Sequence, residues 1–369
     1  MKIGIFSETY LPVQDGVAYQ IHHIRKELLL KGHEVNLFIP KADTNYEKSV
    51  HAFSSVSFPP YPNYRIALFP YAKCLKLAKD LDVLHIHTPF AMGTSGVIAK
   101  KLHKIPLVGT YHTNILDMRV NLHGIFANPT LLKYAWKFTV KIYGRCDIMT
   151  VPSQRIQKFL AESGLKPIVV NNGLDLNYIS ECGKGINAKE KFNRGNKFMV
   201  FFVGRASADK GLEYLIRACE GIDVQLVIAG IGPILENLKA LSEKLNVNAV
   251  FTGFISDDEK YALMKACDVF VLPSMAEVQP IVIIEAFTCG KTVIGTNRGG
   301  TPDMIENGTN GLLVEFGDVN ALREAIIKLM KEKELKKTLS LNAKRSSEKY
   351  SIENVAKKYL EIYEELIKR

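Results

Sequence analysis

Residues 198–211 read FMVFFVGRASADKG. Six consecutive apolar residues, a glycine and then a short polar loop with two cations describe a buried strand that ends at Gly204. A run that is apolar on both faces suits a parallel sheet covered by helices, because an antiparallel strand with one wet face would alternate. Other runs repeat the pattern downstream: VQLVIAG (224–230), AVFTGF (249–254), VFVLPS (269–274) and TVIGT (292–296). Upstream lie KIGIF (2–6), EVNLFI (34–39), VLHIH (83–87), PLVGTYH (106–112) and IMTVPS (148–153). Helical stretches separate them. One of these, Val17–Leu30, carries Ile21, Ile24 and Leu28 at helical spacing and stops at Gly32. Strand–helix alternation of this kind builds a doubly wound parallel sheet.

The alternation halts at a polar, Gly-containing stretch near 171–197 and then restarts, so two α/β domains are expected. The expected boundaries are 1–172, 173–349 and a final helix, 350–369, whose stripe Val355, Tyr359, Ile362 and Leu366 would pack back on the first domain. A length of 369 residues fits two domains. Two such sheets, each presenting the carboxyl ends of its strands, would form one central cleft for a two-part substrate.

Composition excludes several classes. No run is long and apolar enough to cross a bilayer. The opening MKIGIFSETYLP lacks the basic n-region and cleavage site of a signal peptide. The six cysteines are scattered without a CxxC pair, against zinc and a disulfide framework and in keeping with a reducing cytosol. The net charge of +10 sits almost wholly in residues 1–175, which hold 21 Lys/Arg against 12 Asp/Glu. Nucleic-acid binding has only this charge in its favour, with no fold motif to support it.

Four places carry chemistry. Arg205 and Lys210, at a strand's carboxyl end, can neutralise a diphosphate without metal; two cations on a surface loop would look the same. In MAEVQPIVIIEA (275–286), Pro280 suits a helix start and Gly290 its end. Glu285 then lies inside an apolar helix and needs a partner: a ribose diol, or a Lys or Arg of the core. Glu277 precedes the helix, whose first amides favour phosphate. Gly16, where the Val17–Leu30 helix begins, lets backbone approach a ligand. His85, His87 and His112 follow two strands of the first domain. The histidines lack an HExxH pattern and a third clustered ligand, so no metal site is expected.

Taken together, these stretches resemble the retaining glycosyltransferases of family 4, with the GT-B fold. The resemblance runs over nearly the whole chain. It rests most on VGRASADKG (203–211), SMAEVQPIVIIEAFTCGKTVIGTNRGGTPDMI (274–305) with its two glutamates separated by seven residues, and ENGTNGLLVEFGD (306–318). LHIHTPFAMGTSG (84–96) and GTYHT (109–113) are similar to the diacylglycerol glucosyltransferase branch.

The resemblance implies a nucleotide-sugar donor held mainly by the second domain, a UDP-sugar ahead of a GDP-sugar. Arg205 and Lys210 would bind its diphosphate, Glu285 its ribose and Glu277 its sugar hydroxyls. Ile281 and Val282 would line the donor at the helix start, and Gly16 would close on it. His112 would contact the transferred sugar and support an oxocarbenium-like transition state. His85, His87, Asn114 and Arg119 are the acceptor-side candidates. Catalysis would fall to His112, Glu277, Arg205 and Lys210, with no cofactor and no metal. Two departures stand out: Gln279 and Pro280 replace the family's usual Phe-Gly, and Asp15 stands where many members have a glycine.

The acceptor is approached through LLKYAWKFTVKIYGR (131–145). Lys133, Lys137, Lys141 and Arg145 recur every four residues, beside an apolar face of Leu131, Ala135, Phe138 and Ile142. With Trp136, they are candidates for contact with an anionic membrane; a connecting helix packed on the core would read alike. Three functions are therefore weighed. The first is transfer of a hexose to a lipid hydroxyl such as diacylglycerol. The second is transfer to a soluble or polysaccharide-precursor acceptor, and the third a non-catalytic nucleotide-sugar-binding protein. The expected location is cytoplasmic, with peripheral attachment to the inner membrane face.

Overall fold

The computed structural model describes residues 1–369 except 14, 43, 59, 60, 69, 113–127 and 194, and at 61–63 it describes the backbone alone. The chain divides into two compact units, Met1–Gly173 with Ile352–Arg369, and Leu174–Ser351.

In the first unit, the described residues form strands β1 (Lys2–Phe6), β2 (Glu34–Pro40), β3 (Val50–Phe53), β4 (Ser55–Phe58), β5 (Tyr61–Ala67), β6 (Val83–Ile86), β7 (Leu107–Thr110), β8 (Ile148–Val151) and β9 (Ile168–Val169). Their main sheet has the order β3-β2-β1-β6-β7-β8-β9 and is parallel throughout. The β4–β5 pair is a separate antiparallel ribbon. The second unit holds β10 (Phe198–Val203), β11 (Val224–Ala229), β12 (Ala249–Gly253), β13 (Val269–Leu272), β14 (Val293–Thr296) and β15 (Gly311–Val314). Their order is β12-β11-β10-β13-β14-β15, again parallel.

Each sheet reverses its direction of growth once, between β1 and β6 in the first unit and between β10 and β13 in the second. Ligands of doubly wound sheets bind beyond the strand ends at such switch points. The residues that follow β1, β6, β10 and β13 are therefore the ones to inspect.

The apolar runs are buried as expected: Ile3, Ile5 and Phe6 in β1, and Val200, Phe201 and Phe202 in β10, are wholly enclosed. The Ile352–Lys368 helix seats Val355, Tyr359, Ile362, Tyr363 and Leu366 in the core of the first unit, beside Ile3, Ile21 and Val35. At about 1.5–3 kcal/mol for each large apolar side chain fully buried, this contact stabilises the unit strongly. The first crossover helix, Gly16–Leu30, owes its start to Asp15, whose Oδ1 accepts the Ala18 N–H at 2.8 Å and whose Oδ2 accepts the Thr9 hydroxyl at 2.7 Å. That double role gives Asp15 a local reason to replace glycine. Gly32, with φ of +79°, closes the same helix.

Candidate active site

The turn after β10 is knitted to the loop after β13. The Lys210 ammonium donates to Glu277 Oε1 at 2.6 Å and lies 3.5 Å from Asp209 Oδ2. Asp209 Oδ1 accepts the Ser207 hydroxyl at 2.5 Å, and the Asp209 carbonyl accepts the Met275 N–H at 2.8 Å. Arg205 lies 3.9 Å from Asp209, with 42 % of its side chain exposed. Burial alone would lower the Lys210 pKa. Glu277 and Asp209 outweigh it and hold the ammonium above its ordinary value, against a small opposing push from Arg205. Arg205, Lys210 and Glu277 thus form one cluster at the second unit's switch point.

Two glycine contacts shape this cluster. Gly232 lies so close to the Ala206 backbone that a Cβ would overlap it, which fixes the loop carrying Arg205. Gly299 (φ +55°) packs on the Glu277 backbone, and the Gly300 N–H donates to the Glu277 carbonyl at 2.7 Å. Neither glycine was singled out from the sequence. The readable signal was a glycine three residues past each of the apolar runs that form β11 and β14.

Pro280 takes the position before the first helical residue, not the first turn itself, with φ −70° and ψ 113°. The helix spans Ile281–Thr288 and ends at Gly290, whose φ is +66°. Ile281 and Val282 are half-buried in its first turn, where amides lack intrahelical partners. Glu285 is 5 % exposed, and its Oε1 accepts both the Lys260 ammonium and the Tyr261 hydroxyl, each at 2.8 Å. The core-cation alternative for Glu285 is therefore present. Oε2 accepts no hydrogen bond among the described residues, which leaves it available for a diol.

Of the three histidines in the first unit singled out from the sequence, His85 and His87 are enclosed and His112 is half-buried. His85 is fully enclosed between the Tyr363 hydroxyl and the Thr110 hydroxyl, each 2.6 Å from a ring nitrogen. It fastens the last helix to the sheet and offers no side-chain surface to an acceptor, so its reading as an acceptor-side residue is corrected. His87 is 1 % exposed, and its Nδ1 lies 2.8 Å from Nε2 of the half-buried His112. Burial pushes the pKa of His85 and of His112 down to about 3, and that of His87 well below the usual imidazole range. Gly16 opens its helix as expected. Asn114 and Arg119 lie outside the described residues.

Sequence reading passed over Glu8, just beyond β1. It is 8 % exposed; its Oε1 accepts the Met92 N–H at 2.6 Å, and its Oε2 is buried without a hydrogen-bond partner among the described residues. Burial raises its pKa to about 7 despite the backbone amides of Met92 and Ala67. A single carboxylate beside a strand carries no pattern that would have revealed this.

The Pro129–Tyr143 helix turns Leu132, Thr139, Ile142 and Tyr143 inward. Of the apolar face expected from spacing, only Ile142 is buried; Leu131 and Phe138 are exposed at 44 % and 39 %, beside Tyr134 at 65 %. Lys133, Lys137, Lys141 and Arg145 share the solvent side. Trp136 is half-buried, with its ring packed against Phe159 at 5.4 Å and edge-on to Tyr111 at 6.4 Å.

The comparisons with known proteins identify the family. The model of the Glycosyltransferase Family 4 matches residues 14–178, and that of the Glycosyl transferases group 1 matches residues 184–346. The chain belongs to the GT-B glycosyltransferases of this family and is a hexosyltransferase. It is 29 % identical to an alpha-monoglucosyldiacylglycerol synthase of Streptococcus pneumoniae, over 98 % of this chain and 85 % of that one. It is 26 % identical to a GDP-mannose-dependent alpha-mannosyltransferase of Corynebacterium glutamicum, over 86 % of this chain and 78 % of that one. Among solved structures, Anabaena Alr3699/HepE in complex with UDP shares the fold with a TM-score of 0.82, at 22 % identity, covering 99 % of this chain and 100 % of that one.

Proposed function

We propose that this glycosyltransferase moves a hexose from a nucleotide-diphosphate sugar, a UDP-sugar ahead of a GDP-sugar, to a lipid hydroxyl such as that of diacylglycerol. It does so with retention of configuration, without metal, at the cytoplasmic face of a membrane. The observation that carries the lipid part is the Pro129–Tyr143 helix, where Leu131, Tyr134 and Phe138 are exposed alongside Lys133, Lys137 and Lys141. Exposed apolar and aromatic side chains flanked by cations suit an anionic bilayer surface, with the lysine charges drawn to lipid phosphates. The resemblance to a diacylglycerol glycosylating enzyme of Streptococcus pneumoniae supports the same acceptor class. The mannosyltransferase relative keeps a GDP-sugar as the second donor reading.

In this reaction the bond from the sugar C1 to the diphosphate oxygen breaks, and a bond from C1 to the acceptor oxygen forms on the same face. The departing diphosphate takes the acceptor's proton. Arg205 and Lys210 stabilise the charge that develops on it, and the first amides of the Ile281–Thr288 helix add to them. Glu277 holds sugar hydroxyls and Glu285 the ribose. Loss of either cation is expected to slow transfer about a hundredfold, or on the order of 3 kcal/mol.

The test is a donor panel. Purified protein is incubated with UDP- and GDP-sugars, with and without anionic vesicles containing dioleoylglycerol, in chelator. Release of nucleoside diphosphate together with a glycolipid is expected. Turnover indifferent to the vesicles would replace the lipid by a soluble acceptor, and activity abolished by the chelator would restore a metal.

A further inference from the structure

We infer that His87 is a positioning residue that fixes His112 as the tautomer protonated at Nδ1, so that His112 presents a neutral N–H donor to an oxygen of the transferred sugar. The assignment of the proton stands on the first unit alone; its use on a sugar rests on the function proposed above.

β6 and β7 are parallel neighbours, with Ile86 opposite Gly109, so the residues just past their ends emerge side by side. His87 Nδ1 and His112 Nε2 are 2.8 Å apart. The two ring centroids are 5.0 Å apart and the planes lie within 13° of each other. That is the geometry of a hydrogen bond lying in the plane of both rings. A neutral imidazole carries one proton, so a bond between two neutral rings has only two arrangements. In the first, His87 Nδ1–H donates to His112 Nε2; His87 then keeps a bare Nε2, and His112 carries its proton on Nδ1. In the second, His112 Nε2–H donates to His87 Nδ1, and His87 carries its proton on Nε2.

The surroundings of His87 decide between them. Its Nε2 is buried and has no hydrogen-bond partner among the described residues. The second arrangement would strand an N–H there, and orphaned buried N–H groups are rare in native proteins. The first leaves only an unfilled lone pair. The His85 ring lies against His87 with centroids 4.0 Å apart and is itself tied at both nitrogens, so it supplies no acceptor to relieve a stranded N–H. Burial keeps all three rings neutral, as their depressed pKa values express.

The Nδ1 of His112 takes no hydrogen bond among the described residues. As an N–H it can donate to a sugar hydroxyl or ring oxygen, but it cannot act as a base. Being neutral, it sets no full positive charge beside a reacting carbon that is itself becoming positive.

The experiment labels the histidines of the full chain with 15N and records two-bond 1H–15N correlations at neutral pH. His112 is assigned by the peaks lost in His112→Asn, and His87 by those lost in His87→Phe. Protonated Nδ1 and bare Nε2 are expected for both rings. A protonated Nε2 on His112, or a charged ring, overturns the assignment. His87→Phe should release His112 into a tautomer mixture, whereas His87→Asn, whose amide N–H replaces Nδ1–H, should keep it fixed. An unchanged His112 in His87→Phe overturns the positioning role.

A second readout tests the use of the proton. The Asn amide sits near Nδ1 and the Gln amide near Nε2, so His112→Asn should retain about tenfold more transfer than His112→Gln. Equal losses overturn the donor role while leaving the tautomer standing. A wild-type protein that turns over no nucleotide sugar removes the proposed function and the sugar contact together, again without touching the tautomer.

Discussion

Glu8 in the first unit and Glu285 in the second are buried to nearly the same degree, at 8 % and 5 % exposure. Both follow the switch-point strands of their sheets. Glu285 is met by an ammonium and a hydroxyl, Lys260 and Tyr261, on one oxygen. Glu8 is met only by backbone amides, Met92 on Oε1 with Ala67 nearby, and its Oε2 has no hydrogen-bond partner among the described residues. The contrast extends to the neighbours. The second unit keeps ionised groups in pairs, Lys210 with Glu277 and Lys260 with both Glu285 and Asp257. The first pairs its buried Arg25 with Glu47, but beyond the switch-point strands it keeps its buried groups uncharged: His85, His87 and His112 are held neutral, and Glu8 stands near half protonation at neutral pH. Around the switch-point strands, one unit solves the desolvation problem with partners and the other with protons. The first should therefore answer to pH and the second to loss of a partner.

Acid should separate the two units most. All nine histidines fall in residues 1–123, and Leu174–Ser351 holds none. For a ring whose folded pKa lies near 3, below the ordinary 6.5, the unfolded chain binds the proton first. Its contribution to stability is whole above about pH 6.5 and is lost as pH falls toward 3. By pH 4 the loss is roughly 3 kcal/mol for each of His85 and His112. Trp136, the sole tryptophan, reports on the first unit from between Tyr111 and Phe159. Its fluorescence is expected to change at a higher pH than the midpoint of far-ultraviolet circular dichroism, which also counts the second unit. Coincident transitions would erase the proposed difference.

Lys260→Met is the corresponding blow to the second unit. It leaves Glu285 buried with the Tyr261 hydroxyl alone, and stranding one charge of a buried pair costs about 3–5 kcal/mol. Urea unfolding should show that loss, and Lys260→Met combined with Glu285→Leu should recover most of it. A loss below about 1 kcal/mol in the single variant would mean that solvent, not Lys260, satisfies the carboxylate.

These differences track what could be read from the chain. Both sheets were legible because strands buried on both faces leave unbroken apolar runs, as in FMVFFV and VFVL. β9 spans two residues and β4–β5 forms a ribbon apart from the main sheet, so neither left such a run. Glu285 stood out as a carboxylate inside an apolar helix, but its partner lies 25 residues away on another helix and no local pattern announces that contact. Spacing left Leu131 and Phe138 between two readings, a membrane-facing side and a core-packed one, for a related reason. Helical spacing groups residues on a face, while tertiary packing chooses which face docks, and here it chose the one with Leu132, Thr139 and Tyr143. His85 was misplaced because its tie to Tyr363 spans 278 residues.

Glu8→Gln gives the finest test of the comparison, because it alters a proton and little else. The folded pKa of about 7 exceeds the ordinary 4.5, so between these values the folded chain holds a proton that the unfolded chain has released. The stabilisation is whole below about pH 4.5 and is lost as pH rises through 7. Glutamine keeps an acceptor for the Met92 N–H and never ionises. The stability difference between wild type and Glu8→Gln should therefore shift in favour of the variant by on the order of 3 kcal/mol from pH 4.5 to 8. The constant cost of the amide's own burial cancels in that shift. Urea midpoints across the range measure it. A pH-independent difference would mean that Glu8 is ionised throughout, served by water at Oε2, and that both units keep their buried carboxylates charged after all.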